Sequence, residues 1–404
     1  MPRFDVTFVM SVSDPPTGAT MISSKLIKEV FSRFGANNSI RVILIIPHKD
    51  LLKSRIDLIK EITKVGKEQV KLVVVPPITG KLAFVRFIIR NLFNNYLKTP
   101  SKTLFIMTEN IHAYYPLLNI PFCRKRIVFW AHATPFLCAP PYIFKKGTRT
   151  VIKYLSVNGG FRKVLEYFFY QFCLLTLRGR DIIACPGLTQ ALKGTGFFRF
   201  YRFTIFNHPS LQFNFSSSDI KSFDAVYLAR FIPGKGLADC LRIWKLVVAE
   251  IPEAKLLVIG PPKELVKQIS KMLGISENVV AVGEVYNEEM KNKFLRMSKL
   301  LIYPSVMDSY SNVIAEALSA GLPVVCYDIT PFTENFNLNP VIKVRFKDYS
   351  GASSLIIKLL KDHEYYKVLS AEASHFSKRT FHPKAVVDRF LRILTTVINT
   401  SNYE

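Results

Sequence analysis

The sequence predicts an α/β architecture of two doubly wound domains in series, and three observations carry that prediction. Short β-branched runs alternate with longer helical patterns, as expected of βαβ units that close parallel sheets. The alternation halts at a Ser- and Asn-rich stretch, LQFNFSSSDIKS at residues 211–222, and starts afresh beyond it. A chain of 404 residues, 49% hydrophobic and 21% charged, also suffices for about two to three cores and excludes a disordered or fibrous polymer.

The first set of strands is read at 4–12 (FDVTFVMSV), 40–46, 71–75, 103–107, 127–131 and 181–185. The second is read at 224–229, 255–260, 278–283, 299–305 and 323–327. These runs give a first domain over residues 1–212 and a second over 223–380. After His382-Pro383, a good helix start, Val386, Val387, Phe390, Leu391, Leu394, Val397 and Ile398 share one face. That helix, within 384–404, needs a surface to dock on and is expected to return to the first domain.

No stretch reaches the roughly 20 apolar residues of a membrane-spanning helix, and Asp5 interrupts the first apolar run, so no secretory signal is read. A cytoplasmic location is expected. The six cysteines form no CxxC pair and lie mostly in apolar runs, which reads as reduced and structural. The scattered histidines give no metal-ligand set, and no metal is expected.

Charge is unevenly distributed. Residues 1–210 hold 31 Lys+Arg against 10 Asp+Glu, and the remainder 24 against 20. Within the basic half, KLAFVRFIIRNLFNNYLK and FRKVLEYFFYQFCLLTLRGR interleave cations with aromatics and read as amphipathic helices. Three readings compete for this surface: an anionic membrane, nucleic acid, or an ordinary solvated basic face. No recognised nucleic-acid motif accompanies the charge, so no nucleic-acid partner is expected.

The segment LLIYPSVMDSYSNVIAEALSAGLPVVCYD, residues 300–328, reads as strand, loop, helix, glycine stop and strand. The helix, about 311–320, turns its N-terminus toward the carboxyl ends of the strands, where open parallel sheets bind ligands. Around Ser309, Ser311 and Asn312, free backbone N–H groups and the helix dipole suit phosphate oxygens. Asp308 and Glu316, with small Ala315 and Ala317 beside the latter, suit the vicinal hydroxyls of a sugar or ribose. Each acid alone could instead be a cap or a salt-bridge partner. In AVYLARFIPGKGL, residues 225–237, Arg230 and Lys235 leave the same sheet edge and could clamp a diphosphate.

On these residues the sequence resembles the retaining family 4 glycosyltransferases of the GT-B fold. The shared features are Pro304-Ser305, Asp308-x7-Glu316, Gly321-Leu322-Pro323-Val324 and Arg230-x4-Lys235-Gly236, over about residues 224–345. The resemblance implies two Rossmann-like domains facing each other across a cleft, with the acceptor on the first and a nucleoside diphosphate sugar on the second. It implies Glu316 for the ribose, Arg230 and Lys235 for the diphosphate, and Asp308 for the donor sugar. Position 308 departs from the family, since Asp is one methylene shorter than the usual Glu. In the first domain, Gly18 of PPTGAT matches the family's glycine loop, His132 of FWAHAT its histidine near the reacting sugar, and Asn207 its hinge-proximal asparagine. A lone histidine at a strand end could equally be structural.

The resemblance also implies hexose transfer with retention, and no cofactor. The absence of an Asp-x-Asp signature argues against a metal requirement. HATPF, the basic aromatic helix and DIIACPG are similar to lipid-linked oligosaccharide mannosyltransferases, of the kind that serve N-glycosylation. The expected acceptor is a glycan, carried on a lipid at the cytoplasmic face of an anionic membrane, with the enzyme peripheral to it. A soluble enzyme acting on a polysaccharide or metabolite is the alternative, and a nucleic-acid-binding protein with a degenerate sugar-nucleotide domain a more remote one.

Overall fold

The computed structural model describes residues 5–11, 25–30, 32–33, 39–46, 70–74, 104–108, 126–131, 148–175, 181–193, 202–210, 220–232 and 234–399. The chain divides into two compact units, Met1–Leu211 with Val386–Glu404, and Gln212–Ala385.

In the first unit, seven strands form one parallel sheet: β1 (Asp5–Ser11), β2 (Ser39–Ile46), β3 (Val70–Val74), β4 (Leu104–Thr108), β5 (Arg126–Ala131), β6 (Asp181–Ala184) and β7 (Arg202–Ile205), in the order β3-β2-β1-β4-β5-β6-β7. Two helices of this unit are α1 (Thr148–Leu175) and α2 (Pro186–Lys193). β7 is a strand that hydrophobic runs do not reveal. It is one edge of the sheet, and Arg202 and Ile205 are exposed. Its register is held by Arg202, whose Nε donates to the buried Asp181 Oδ1 at 2.9 Å.

In the second unit six parallel strands run in the order β10-β9-β8-β11-β12-β13. They are β8 (Phe223–Leu228), β9 (Leu256–Ile259), β10 (Val279–Gly283), β11 (Ser298–Tyr303), β12 (Val324–Tyr327) and β13 (Val341–Val344). The helices that follow them are α3 (Leu237–Glu250), α4 (Lys263–Leu273), α5 (Glu288–Arg296), α6 (Asn312–Ser319), α7 (Thr330–Asn335), α8 (Tyr349–Lys361) and α9 (His363–Thr380). β9 and β12 are buried along their whole length, as strands covered by helices on both faces must be. α3 shows the logic of its helices: Leu237, Cys240, Leu241, Ile243, Trp244 and Val247 are buried at three- and four-residue spacing. Trp244 buries its indole without stranding a donor, because Nε1 donates to the Asn278 carbonyl at 3.1 Å.

Most of the terminal helix α10 (Pro383–Asn399), from Val386 on, belongs to the first unit. Val386, Val387, Phe390, Leu394 and Val397 join Val6, Phe8, Trp130 and Phe206 in one buried cluster. Phe390 lies at its centre, with ring centroids 5.0 Å from Trp130, 5.3 Å from Phe206 and 6.1 Å from Phe8. Full burial of a phenylalanine contributes about 1.5–3 kcal/mol, so this helix is a structural member of the first unit's core.

Among the described residues no helix is long and apolar enough to cross a membrane. Cys185, Cys240 and Cys326 are buried thiols, and burial pushes Cys326 up to about 12. Cys123 and Cys138 lie outside the described residues.

Candidate functional site

The winding of the second sheet reverses between its central strands. β9 and β10 lie on one side of β8, and β12 and β13 on the far side of β11. Helices then leave these two neighbours in opposite directions, which opens a crevice at the strands' carboxyl ends. The loops read from the sequence, 229–236 after β8 and 304–311 after β11, both start there.

Backbone contact holds the two loops together. Val306 N–H donates to the Gly234 carbonyl at 2.8 Å, and Ser305 Oγ donates to the same oxygen at 3.2 Å. Gly236 has φ 80°, and a Cβ there would stand 2.1 Å from the Pro304 carbonyl oxygen. Only glycine fits so close an approach, which is the physical basis of the Lys235-Gly236 pair.

Lys235 reaches from the first loop into the second. Its Nζ donates to Asp308 Oδ2 at 2.9 Å, to the Met307 carbonyl at 2.9 Å and to the Tyr303 hydroxyl at 3.1 Å. The Tyr303 hydroxyl in turn donates to Asp308 Oδ2 at 2.7 Å. The Asp308 Oδ1 accepts from Ser309 N–H at 3.1 Å. Both charged side chains are only 14% exposed, so the pair is largely removed from solvent. Burial, and then the Asp308 carboxylate, push the Tyr303 phenol well above its ordinary range, so it remains a proton donor. Arg230, by contrast, is exposed at the end of its strand.

α6 begins directly after this cluster. Ser311 caps it with its Oγ accepting from Ile314 N–H at 3.4 Å, in a left-handed conformation at φ 69°. That conformation costs a residue with a side chain about 1–2 kcal/mol. Strain of this kind persists where the surroundings fix it, and the buried Ser309 beside it is fixed by Asn335, whose Nδ2 donates to the Ser309 carbonyl at 2.7 Å. Asn312 opens the helix. Gly321, at φ 71°, takes the left-handed position after its end.

Glu316 is held in this helix with its carboxylate against Lys291 of α5, Nζ to Oε1 at 3.0 Å. The Lys291 side chain is 17% exposed and that of Glu316 10%. Burial alone would lower the Lys291 ammonium's pKa, but the Glu316 carboxylate and the charge of Glu288 together outweigh it and the net direction is upward. Ala315 and Ala317, the small residues on either side of Glu316, are buried with it in α6.

Lys235, Asp308, Ser309, Ser311 and Asn312 are therefore gathered at one sheet edge, with Arg230 at its rim and Glu316 on the helix that rises from it. Gly18 and His132 lie outside the described residues, and Asn207 is exposed. Tyr303 and Lys291 escape a reading of the sequence. Tyr303 ends an apolar strand and looks like core, while Lys291 sits on a helix with several other cations and meets its partner 25 residues later. Among the described residues no group of three or more His, Cys, Asp or Glu could hold a metal ion.

Comparison with known proteins bears on the same stretch. Residues 211–376 match the family described as Glycosyl transferases group 1. N-acetyl-alpha-D-glucosaminyl L-malate synthase of Bacillus anthracis is 24% identical over 176 residues, 43% of this chain and 45% of that protein. Poly(glycerol-phosphate) alpha-glucosyltransferase of Bacillus subtilis is 26% identical over 170 residues, 41% of this chain and 25% of that protein. The chain thus spans less than half the length of either relative. Among solved structures, S. aureus TarM superposes with a TM-score of 0.70 at 10% identity over 96% of this chain and 98% of that one. Anabaena Alr3699/HepE in complex with UDP and glucose does so with a TM-score of 0.67 at 14% identity, over 97% and 100%. The fold is that of the GT-B glycosyltransferases, two Rossmann-like α/β domains.

Proposed function

We propose that this chain, which carries a glycosyl transferases group 1 domain over residues 211–376, transfers a hexose from a nucleoside diphosphate sugar to a glycan acceptor with retention of configuration. The observation that carries this reading is the convergence of Lys235, Asp308 and the N-terminus of α6 at the point where the second sheet reverses.

In this reading the glycosidic C1–O bond breaks with its electron pair passing to the diphosphate, and the acceptor oxygen bonds C1 on the same face. The acceptor proton leaves with the phosphate. Negative charge grows on the leaving group, and Arg230, Lys235 and the N–H groups at Ser311 and Asn312 stabilise it there. No step is assigned to a metal ion. Glu316 accepts hydrogen bonds from the ribose, Asp308 and His132 orient the sugar, and Gly18 lies by the phosphates. The acceptor is lipid-borne at the cytoplasmic face of the membrane, as in the building of lipid-linked oligosaccharides for N-glycosylation. What supports this is the excess of 31 cations over 10 acids in residues 1–210.

The same excess favours one second reading, an anionic polymer as acceptor, since one relative is named for poly(glycerol-phosphate). Competition for transfer by that polymer, set against a phospholipid-linked glycan, separates the two.

The first test is thermal stability of the full chain with UDP, GDP, ADP and their sugar conjugates. A ligand bound by the native state raises the melting temperature by mass action, about 2.7 kcal/mol at a hundredfold excess over Kd. A rise with one base and not the others is expected, and no rise with any overturns the donor assignment.

A further inference from the structure

The outward face of α1 is apolar where a surface helix is ordinarily polar. The helix consists of two arms joined at Gly160, whose φ of 65° and ψ of −172° interrupt the helical run. On the first arm Val151 and Leu155 are buried at 1% and 2%, so this arm is seated in its unit by an inner face. Its outer face presents Arg149, Lys153 and Val157 at four-residue spacing, with Val157 77% exposed. The second arm continues with Phe161, Leu165 and Phe168 at 75%, 53% and 43% exposure, a spacing of four and three that puts them on one side. Isolated exposed apolar residues need no explanation, but Phe161, Leu165 and Phe168 in a row along one arm mark a contact surface.

We propose that this face of α1 is the surface by which the protein seats on an anionic phospholipid bilayer. The proposal deepens the lipid-borne acceptor reading and rests on it. Charge selects the occupant. α1 carries Arg149, Lys153, Arg162 and Lys163 against the single acid Glu166, within a half of the chain whose net charge is +21 (31 basic less 10 acidic side chains). Lipid phosphates meet Arg149 and Lys153 on the first arm, and the acyl boundary just beneath them receives Phe161, Leu165 and Val157. Nucleic acid would satisfy the charge but has no apolar layer for Leu165 and Val157. A second copy would bring the same excess of positive charge to the contact.

The test uses the full chain with Phe161→Trp as a reporter. Trp130 and Trp244 are 1% and 0% exposed, so their emission stays constant when a surface is engaged. With vesicles of phosphatidylcholine and phosphatidylglycerol, the reporter's emission moves to the blue and is quenched by brominated acyl chains. Vesicles of phosphatidylcholine alone bind at least about tenfold more weakly. Phe161→Ser with Leu165→Ser abolishes the quenching-linked binding, read as co-flotation of the otherwise parental chain, by about tenfold or more. Arg149→Glu with Lys153→Glu weakens binding and its salt dependence.

An unshifted reporter with anionic vesicles, or unchanged flotation of the double Ser variant, overturns the proposal. So does a dimer seen by light scattering that the double Ser variant loses, which assigns the face to a second copy. The nucleotide-induced rise in melting temperature, measured on every variant, confirms folding. Its presence without vesicle binding removes this surface alone, whereas its absence from the parent removes the donor reading.

Discussion

Lys235 and Asp308 form a salt bridge of 2.9 Å across the two loops at the reversal of the second sheet. Three groups share one corner of it, because the Tyr303 hydroxyl donates to the same carboxylate oxygen that the ammonium meets. A diphosphate that takes Lys235 as its counter-ion competes with this carboxylate. If Lys235 binds the diphosphate, the strength of its pairing with Asp308 sets how readily it turns to that ligand.

Asp308→Asn is therefore expected to separate binding from transfer. The amide keeps the shape and loses the charge, so the Kd for the nucleoside diphosphate falls about three- to tenfold, on the order of 1 kcal/mol. If Asp308 orients the donor sugar, the rate of transfer falls as well. Isothermal titration against steady-state turnover reads the two. Weaker nucleotide binding in the variant would show that Asp308 supports Lys235 and does not compete with the ligand.

Tyr303→Phe tests the third member of that corner. The substitution removes the 2.7 Å hydrogen bond to Asp308 without changing the packing of the ring against Phe332, whose centroid is 5.8 Å away. A buried hydrogen bond to a charged group contributes about 1.5–3 kcal/mol, and a loss of that order in urea unfolding is expected. A positioning role adds a readout that plain destabilisation does not. The KM for the donor shifts in the variant, while folding at working temperature stays complete by circular dichroism.

Lys291 and Glu316 make the second desolvated pair, 3.0 Å apart on neighbouring helices. Removing one partner leaves the other charge poorly hydrated, which costs about 2–4 kcal/mol for a pair this far from solvent. Lys291→Met and Glu316→Gln are each expected to lower the urea midpoint. The double variant is expected to recover much of that loss. Additive losses in the cycle would show that the two do not act as a pair. Glu316→Gln also weakens nucleotide binding if the ribose is its ligand, and Lys291→Met does so only through the orientation of Glu316.

The sequence shows some of this architecture directly, and the physical reasons for the rest are specific. The buried strands β9 and β12 are continuous apolar runs, and they read as strands for that reason. β7 and β13 are short edge strands of four residues; β7 opens on Arg202, and Lys343 breaks the apolar run of β13, so neither stands out as a run. The loop residues Arg230, Lys235, Asp308 and Ser311 could be found because glycine and serine spacing marks the ends of strands and the start of a helix. Tyr303 and Lys291 could not. Their roles come from contacts between separate elements, and no local pattern encodes a partner 68 residues away, the separation of Lys235 from Tyr303.

The docking of α10 yields a prediction about the first unit. Phe390 stands among Phe8, Trp130 and Phe206, all buried to 1% or less. Phe390→Ala leaves a cavity that this aromatic cluster cannot close, at a cost of about 3–5 kcal/mol. The expected result is a lowered first transition in calorimetry with the nucleotide-sensitive transition intact, because Phe390 belongs to the first unit and the group 1 domain to the second. A single transition that falls as a whole would mean that the units unfold together.

His208 gives stability a dependence on pH whose direction follows from its surroundings. Burial, and then the charge of Arg389, lower its pKa from 6.5 to about 4. The same arginine also holds the residue's backbone, Nη2 donating to the His208 carbonyl at 3.2 Å. Between about 6.5 and 4 the imidazole is neutral in the folded chain and charged in the unfolded one. The unfolded chain then binds more protons, so the contribution of this group is complete above about 6.5 and is lost as pH falls toward about 4. The full effect is on the order of 3 kcal/mol. His208→Asn removes the titration while tolerating the left-handed backbone at φ 52°. The difference in urea midpoint between parent and variant, measured across that window, should shift in the variant's favour as the solution is acidified. A difference that stays constant with pH would show that His208 titrates alike in both states.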